Sequence, residues 1–101
     1  MARTIGKAEM QKAAIEVGRR LRAIRKAQGF TTWTLAKGMH LSQAQVSRLE
    51  NGLQGLRAVV ILRACSALGI SPVVLFIEKP LAKALLKSPL GKKFRGLNHV
   101  V

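Results

Sequence analysis

FTTWTLAKGMHLSQAQVSRLENG, residues Phe30 to Gly52, carries the clearest pattern in the chain. Leu35, Met39, Val46 and Leu49 recur at helical spacing on either side of the non-apolar His40, which predicts two short helices joined by a tight turn. The first is expected to start at Thr31 or Thr32, where a hydroxyl can accept from a free N–H at the helix start. The second has a stronger start signal. Ser42-Gln43-Ala44-Gln45 fits a capping box, in which Ser42 accepts from the amide of Gln45 and the Gln45 side chain reaches back.

With Val46 and Leu49 turned inward and Gln45 engaged at the cap, the outward edge of the second helix is Gln43, Ala44, Ser47 and Arg48. Amide, methyl, hydroxyl and guanidinium suit the edges of base pairs: Gln pairs with adenine, Arg with guanine, and a methyl group meets thymine. A solvated helix face carries the same residue types, and the stripe alone does not separate the two readings.

Composition narrows the choice. A chain of 101 residues predicts one domain with one modest core. It is 49% apolar with 4% aromatic residues and no Tyr, which favours a small helical bundle packed with Ala, Leu and Val. Eighteen basic residues stand against 4 acidic ones, a net charge of +14, so a polyanion is the expected partner: nucleic acid first, an anionic membrane second. A single cysteine, Cys65, excludes an intrachain disulfide and reads as a small buried helix residue. The N-terminus has no apolar segment of the secretory kind, and no apolar run approaches the roughly 18 residues of a membrane span, so a cytoplasmic, nucleoid-associated protein is expected. Catalysis is not expected. There is no Asp, His40 and His99 lie far apart, and the Glu residues have neither paired-carboxylate nor metal-ligand spacing. The glycines form neither a P-loop nor a dinucleotide fingerprint, so no cofactor is implied.

Outward from the central stretch, residues 1–9 have little periodicity and read as a mobile basic arm with Arg3 and Lys7. Met10, Ala14, Val17, Leu21 and Ile24 predict a long helix to Gln28, ended by Gly29, whose other face, Arg19, Arg20, Arg22 and Lys26, is a basic stripe able to approach phosphates but more often simply solvated. After the loop Leu53-Gln54-Gly55, a helix from about Arg57 to Leu68 is expected to bury Ala58, Ile61, Leu62, Cys65 and Leu68. Val59 and Val60 then face away, and Val73 and Val74 repeat the anomaly. These four are the expected dimer or partner surface, unless the basic tail folds back over them. Ser71-Pro72 is a good helix start, yet the β-branched Val73 to Ile77 reads almost as well as a strand, which would pair with the same strand of a second copy. The tail from Lys79 has six basic residues and no acid. Leu81, Leu85 and Leu86 with Lys83 and Lys87 suggest a short amphipathic helix, and non-specific contact with DNA is the favoured role over a membrane surface or simple solvation. The organisation is thus an arm over 1–9, a domain over 10–77 and a basic tail over 78–101.

On these residues the chain resembles the Cro/C1-type helix-turn-helix regulators, the XRE family. The resemblance is carried by Leu21, Arg25 and Gly29, by Leu35-Ala36 and Ser42, by Val46-Ser47-Arg48-Leu49-Glu50-Asn51-Gly52, and by Leu68-Gly69, and it covers about residues 14 to 77. It implies an all-α, five-helix, lambda-repressor-like fold acting as a homodimer on double-stranded DNA. Gln43, Ala44, Ser47 and Arg48 would read bases, and Thr31, Thr32, Asn51 and Arg57, with Gln54 as a further candidate, would hold the backbone. It also implies an inward salt bridge between Arg25 and Glu50. The chain has its own reason for such a pair: between Val17 and Ile77 Glu50 is the only acid, and it lies in the last turn of a helix, where the dipole disfavours negative charge. Three positions depart from the family pattern. Thr32 stands where a Gln usually binds phosphate and supports the recognition helix, His40 stands in place of the turn Gly, and Gly38 weakens the first motif helix by about 1 kcal/mol. His tolerates the left-handed region, so the turn is expected to form. The expected function is sequence-specific regulation of transcription, by repression. An alternative is an antitoxin that neutralises a protein toxin and represses its own operon through the same motif; a third is a non-specific nucleoid protein.

Overall fold

The computed structural model describes residues 3–53, 57–77, 83–84 and 86–87. Gln54, Leu81, Leu85 and the tail beyond Lys87 lie outside the described residues, as does the expected boundary at 78. Over residues 3–77, among the described residues, five helices follow one another: α1 (Lys7–Ala27), α2 (Thr32–Met39), α3 (Gln43–Glu50), α4 (Ala58–Leu68) and α5 (Val73–Phe76). Among the described residues there is no strand.

The start of α1 falls at Lys7, not Met10, so the last part of the expected arm is helical. Glu9 in the first turn suits the helix dipole and pairs with Arg3 at 2.6 Å. Residues 7–13 are all exposed, Met10 included, because the first turns of α1 extend past the core. The buried stripe then runs through Ala14, Val17, Leu21 and Ile24.

Arg20 does not belong to a solvated basic face. It is buried, takes Glu16 at 3.1 Å, and donates through Nη1 to the carbonyl of Ile77, so that α1 is tied to the residue that follows α5.

Close approach of α1 to α3 depends on two glycines. A Cβ at Gly18 would lie 2.5 Å from the carbonyl oxygens of both Leu49 and Glu50. Gly52 has φ +69, and a Cβ there would lie 2.6 Å from Cα of Ile15. The C-terminal end of α3 therefore rests on the backbone of α1.

In α4 the buried residues are Ile61, Ala64, Cys65 and Leu68, while Ala58 and Leu62 face solvent. The inner stripe is rotated from the expected one because the helix is apolar on nearly every side, so periodicity leaves its phase open; the small Ala64 is the residue turned into the core.

Val73 to Phe76 form one helical turn rather than a strand. Val74 and Leu75 are consecutive and both fully buried, which a strand cannot achieve against a single core because its side chains alternate between faces. Val74 is thus a core residue and not part of an exposed surface. The core unites Leu21, Ile24, Met39, Val46, Leu49, Cys65, Val74 and Leu75 from all five helices. Val60 packs partly against it, as does Leu86 from the helical residues at 86–87.

Candidate nucleic-acid interface

The entry to α3 is fixed locally. Ser42 N–H donates to Gln45 Oε1 at 2.8 Å, and Gln45 N–H donates to Ser42 Oγ at 3.2 Å, a complete capping box. The preceding helix is capped by Thr31, whose Oγ1 accepts from the N–H of Thr34 at 3.0 Å. Between the helices His40 takes φ 57 and ψ 40, and the N–H of Leu41 closes the turn on the carbonyl of Ala36 at 2.9 Å.

Packing then decides which face of α3 is free. Val46, Leu49 and Glu50 are buried, and Glu50 meets Arg25 of α1 in a two-point contact, Nε to Oε2 at 2.6 Å and Nη2 to Oε1 at 3.1 Å. The remaining end of the guanidinium donates through Nη1 to the carbonyl of Phe30 at 2.7 Å. One buried fork therefore joins the ends of α1 and α3 and the segment leading into α2. On the opposite edge Gln43, Ala44, Ser47 and Arg48 are exposed together.

Gln43 and Asn51 are both engaged within the protein. Gln43 Nε2 donates to Thr32 Oγ1 at 2.9 Å, so the hydroxyl at position 32 steadies the first residue of α3 with a shorter side chain than Gln. Asn51 Nδ2 donates to the carbonyl of Ser47 at 2.8 Å and closes the end of α3. Thr31 is exposed with its hydroxyl at the α2 cap, and Arg57 is exposed at the start of α4. Of the expected partner residues, Val59 and Val73 are exposed, Val60 is half-buried and Val74 is buried.

Two residues that the sequence reading passed over stand beside this edge. Trp33 is 60% exposed, and the Lys37 ammonium lies 5.5 Å from its ring centroid, a cation–π contact of about 0.5–1 kcal/mol at an exposed site. The i, i+4 spacing of Trp33 and Lys37, outside the inward Leu35-Ala36, was the available signal.

The Glu16 carboxyl is held down to a pKa of about 2, first by its hydrogen bond to Arg19, which outweighs the opposing cost of burial, and then by Arg20. Burial pushes the Cys65 thiol up to about 11, which leaves it unreactive. Among the described residues no three His, Cys, Asp or Glu side chains are grouped to hold a metal, and no helix is long and apolar enough to cross a membrane.

A five-helix domain that holds its short capped α3 by the inner face and leaves the other edge open is a helix-turn-helix DNA-binding domain of the Cro/C1 type. Comparison with known proteins agrees: the helix-turn-helix domain family matches residues 16–75, and the chain belongs to it. It is 35% identical over 63 residues to the competence pilus inhibition repressor of Acinetobacter baylyi. That match takes in 62% of this chain and 57% of the relative, so the chain spans little more than half of that protein's length. Among solved structures, the restriction-modification controller protein C.AhdI from Aeromonas hydrophila superposes with a TM-score of 0.62 at 35% identity, over 64% of this chain and 98% of that one.

Proposed function

We propose that the chain is a dimeric, sequence-specific transcriptional repressor that inserts α3 into the major groove of DNA. The observation that carries this reading is the division of α3 into a buried side clamped by Arg25 and an exposed edge of Gln43, Ala44, Ser47 and Arg48. Arg48 is the base reader with the strongest discrimination, through the O6 and N7 of a guanine. Gln43 reads an adjoining base from its seat on Thr32, while Ala44 and Ser47 supply a methyl and a hydroxyl. Thr31, Thr32, Asn51 and Arg57 contribute backbone contacts, which hold register without reading sequence. The names of the two relatives, a repressor and a controller protein, support regulation as the outcome. Access to the chromosome places the protein in the cytoplasm.

Dimerisation is assigned to the exposed apolar Val59 and Val73, with the half-buried Val60 at the margin; Phe76, one turn beyond Val73 and also exposed, extends the surface. Two copies would address half-sites about one helical turn, roughly 34 Å, apart.

Selection of bound duplexes from a random pool tests the reading in one step. The expected product is a palindrome with half-sites at that spacing, bound with a steep decline in affinity as salt rises. Arg48→Ala should lose about 1–3 kcal/mol on the selected site and relax preference at one base pair. A pool that yields no common sequence, or an Arg48→Ala variant with unchanged affinity and preference, would overturn it.

A further inference from the structure

The chain has one tryptophan, and it stands on the surface in the first turn of α2. A single exposed aromatic residue is ordinary and needs no partner. Three observations set Trp33 apart. Its ring walls a concavity of about 340 Å³ completed by Ala36, Lys37, Leu41, Ser42 and Gln43, so it shares a surface with the first turn of α3. The floor of that concavity is apolar, with Ala36 buried and Leu41 half-buried, while its rim carries an ammonium, a hydroxyl and an amide. Finally, from Phe30 to Leu53 the only carboxylate is Glu50, which is buried and held by Arg25, so the Lys37 cation has no acid of that stretch to compete for it.

We propose that Trp33 and Lys37 form a seat for one sugar–phosphate unit of the DNA backbone, at the edge of the groove that α3 enters. This rests on the DNA reading above and adds a binding element to it. The apolar face of a deoxyribose lies over the indole and the Ala36–Leu41 floor. Its phosphate accepts from the indole N–H, at the positive edge of the ring, and from the Lys37 ammonium, which sits close enough to the ring to offset its negative face. Such a contact adds affinity on every sequence alike and fixes the angle at which α3 approaches the bases.

The absence of any other tryptophan and of tyrosine makes the test direct, because the emission of the full chain reports on Trp33 alone. The chain is titrated with a selected duplex and with an unrelated duplex of the same length, following tryptophan emission and the anisotropy of the labelled DNA together. The expected result is an emission change that saturates along the anisotropy curve. Trp33→Ala should weaken binding to both duplexes by a similar factor, about tenfold, with an unchanged far-UV spectrum and an unfolding midpoint lowered only by the loss of the cation–π contact. Trp33→Phe, which keeps a ring and loses the N–H, should fall between the two. Lys37→Gln should reduce the slope of log K against log salt by about 1. DNA binding with unchanged emission and an unaffected Trp33→Ala variant would overturn the seat while leaving the DNA reading intact. An emission change that follows protein concentration without DNA would also overturn it, by placing Trp33 at a protein contact. A wild-type chain whose anisotropy curve stays flat on both duplexes would remove the DNA reading and the seat with it.

Discussion

His40 holds a left-handed backbone, φ 57, at the one position where the chain must turn between α2 and α3. A side chain there costs about 1–3 kcal/mol, while glycine adds back about 0.4–1 kcal/mol of unfolded-state freedom. His40→Gly should therefore stabilise the fold by about 1 kcal/mol, read as a higher urea midpoint at constant slope; a lower midpoint would show that the imidazole makes a contact worth more than the strain. Gly18 presents the opposite balance. On helix propensity alone Gly18→Ala should gain about 1 kcal/mol, but the new Cβ would stand 2.5 Å from two backbone carbonyl oxygens of α3, which no side-chain rotation relieves. Overpacking of that kind costs about 1–3 kcal/mol or more, so the net expectation is destabilisation, with the same measurement as the check. The two residues also differ in what a reader of the sequence can see. His40 was legible, because its role is local: a break between two apolar periodicities demands a turn. Gly18 looks like a plain weakness in α1, since the approach of another backbone is a tertiary fact that no spacing records.

At the scale of the helix, α3 is set in place by three kinds of restraint: the capping box at its start, the apolar Val46 and Leu49 beneath it, and the Arg25–Glu50 contact at its end. The last couples elements far apart in sequence. Glu50→Ala should cost about 3–5 kcal/mol, because it leaves a buried guanidinium without its carboxylate, whereas an apolar replacement of both partners should be close to neutral in stability. Denaturant unfolding of the two variants separates these outcomes, and a loss below about 1 kcal/mol for Glu50→Ala would reject the pinning role. Helices α2 and α3 could be read from sequence because each has a polar face, a capping residue and a clear stop. The phase of α4 could not, since the exposed Val59 and Leu62 and the half-buried Val60 and Ala67 carry its apolar character well beyond the fully buried stripe. The identity of α5 was ambiguous for a different reason: β-branching argues for a strand, and only the shared burial of Val74 and Leu75 shows the helical turn.

Across the whole molecule the acids are few, and among the described residues Glu9, Glu16 and Glu50 are each paired with an arginine. Glu16 lies between Arg19, at 2.7 Å, and Arg20, at 3.1 Å, and Arg20 in turn reaches the Ile77 carbonyl, so one carboxylate helps to hold the residue after α5 against α1. Its pKa is lowered from 4.5 to about 2, chiefly by the hydrogen bond from Arg19. A group whose folded pKa is depressed stabilises the fold above its unfolded value and loses that contribution as pH falls through the folded one. The window here runs from about pH 4.5 down to about pH 2. The side chain is 42% exposed, so solvent screens much of the interaction and the contribution is modest. Two effects nonetheless act in the same direction on acidification: the Glu16 link is lost, and a chain already at +14 loses the few negative charges that temper its self-repulsion. Unfolding midpoints of wild type and Glu16→Gln, followed from pH 6 to pH 2 at fixed salt, should therefore differ most at pH 6 and converge toward pH 2. Curves that run parallel across the whole range would show that Glu16 does not link the charge state of the molecule to its stability.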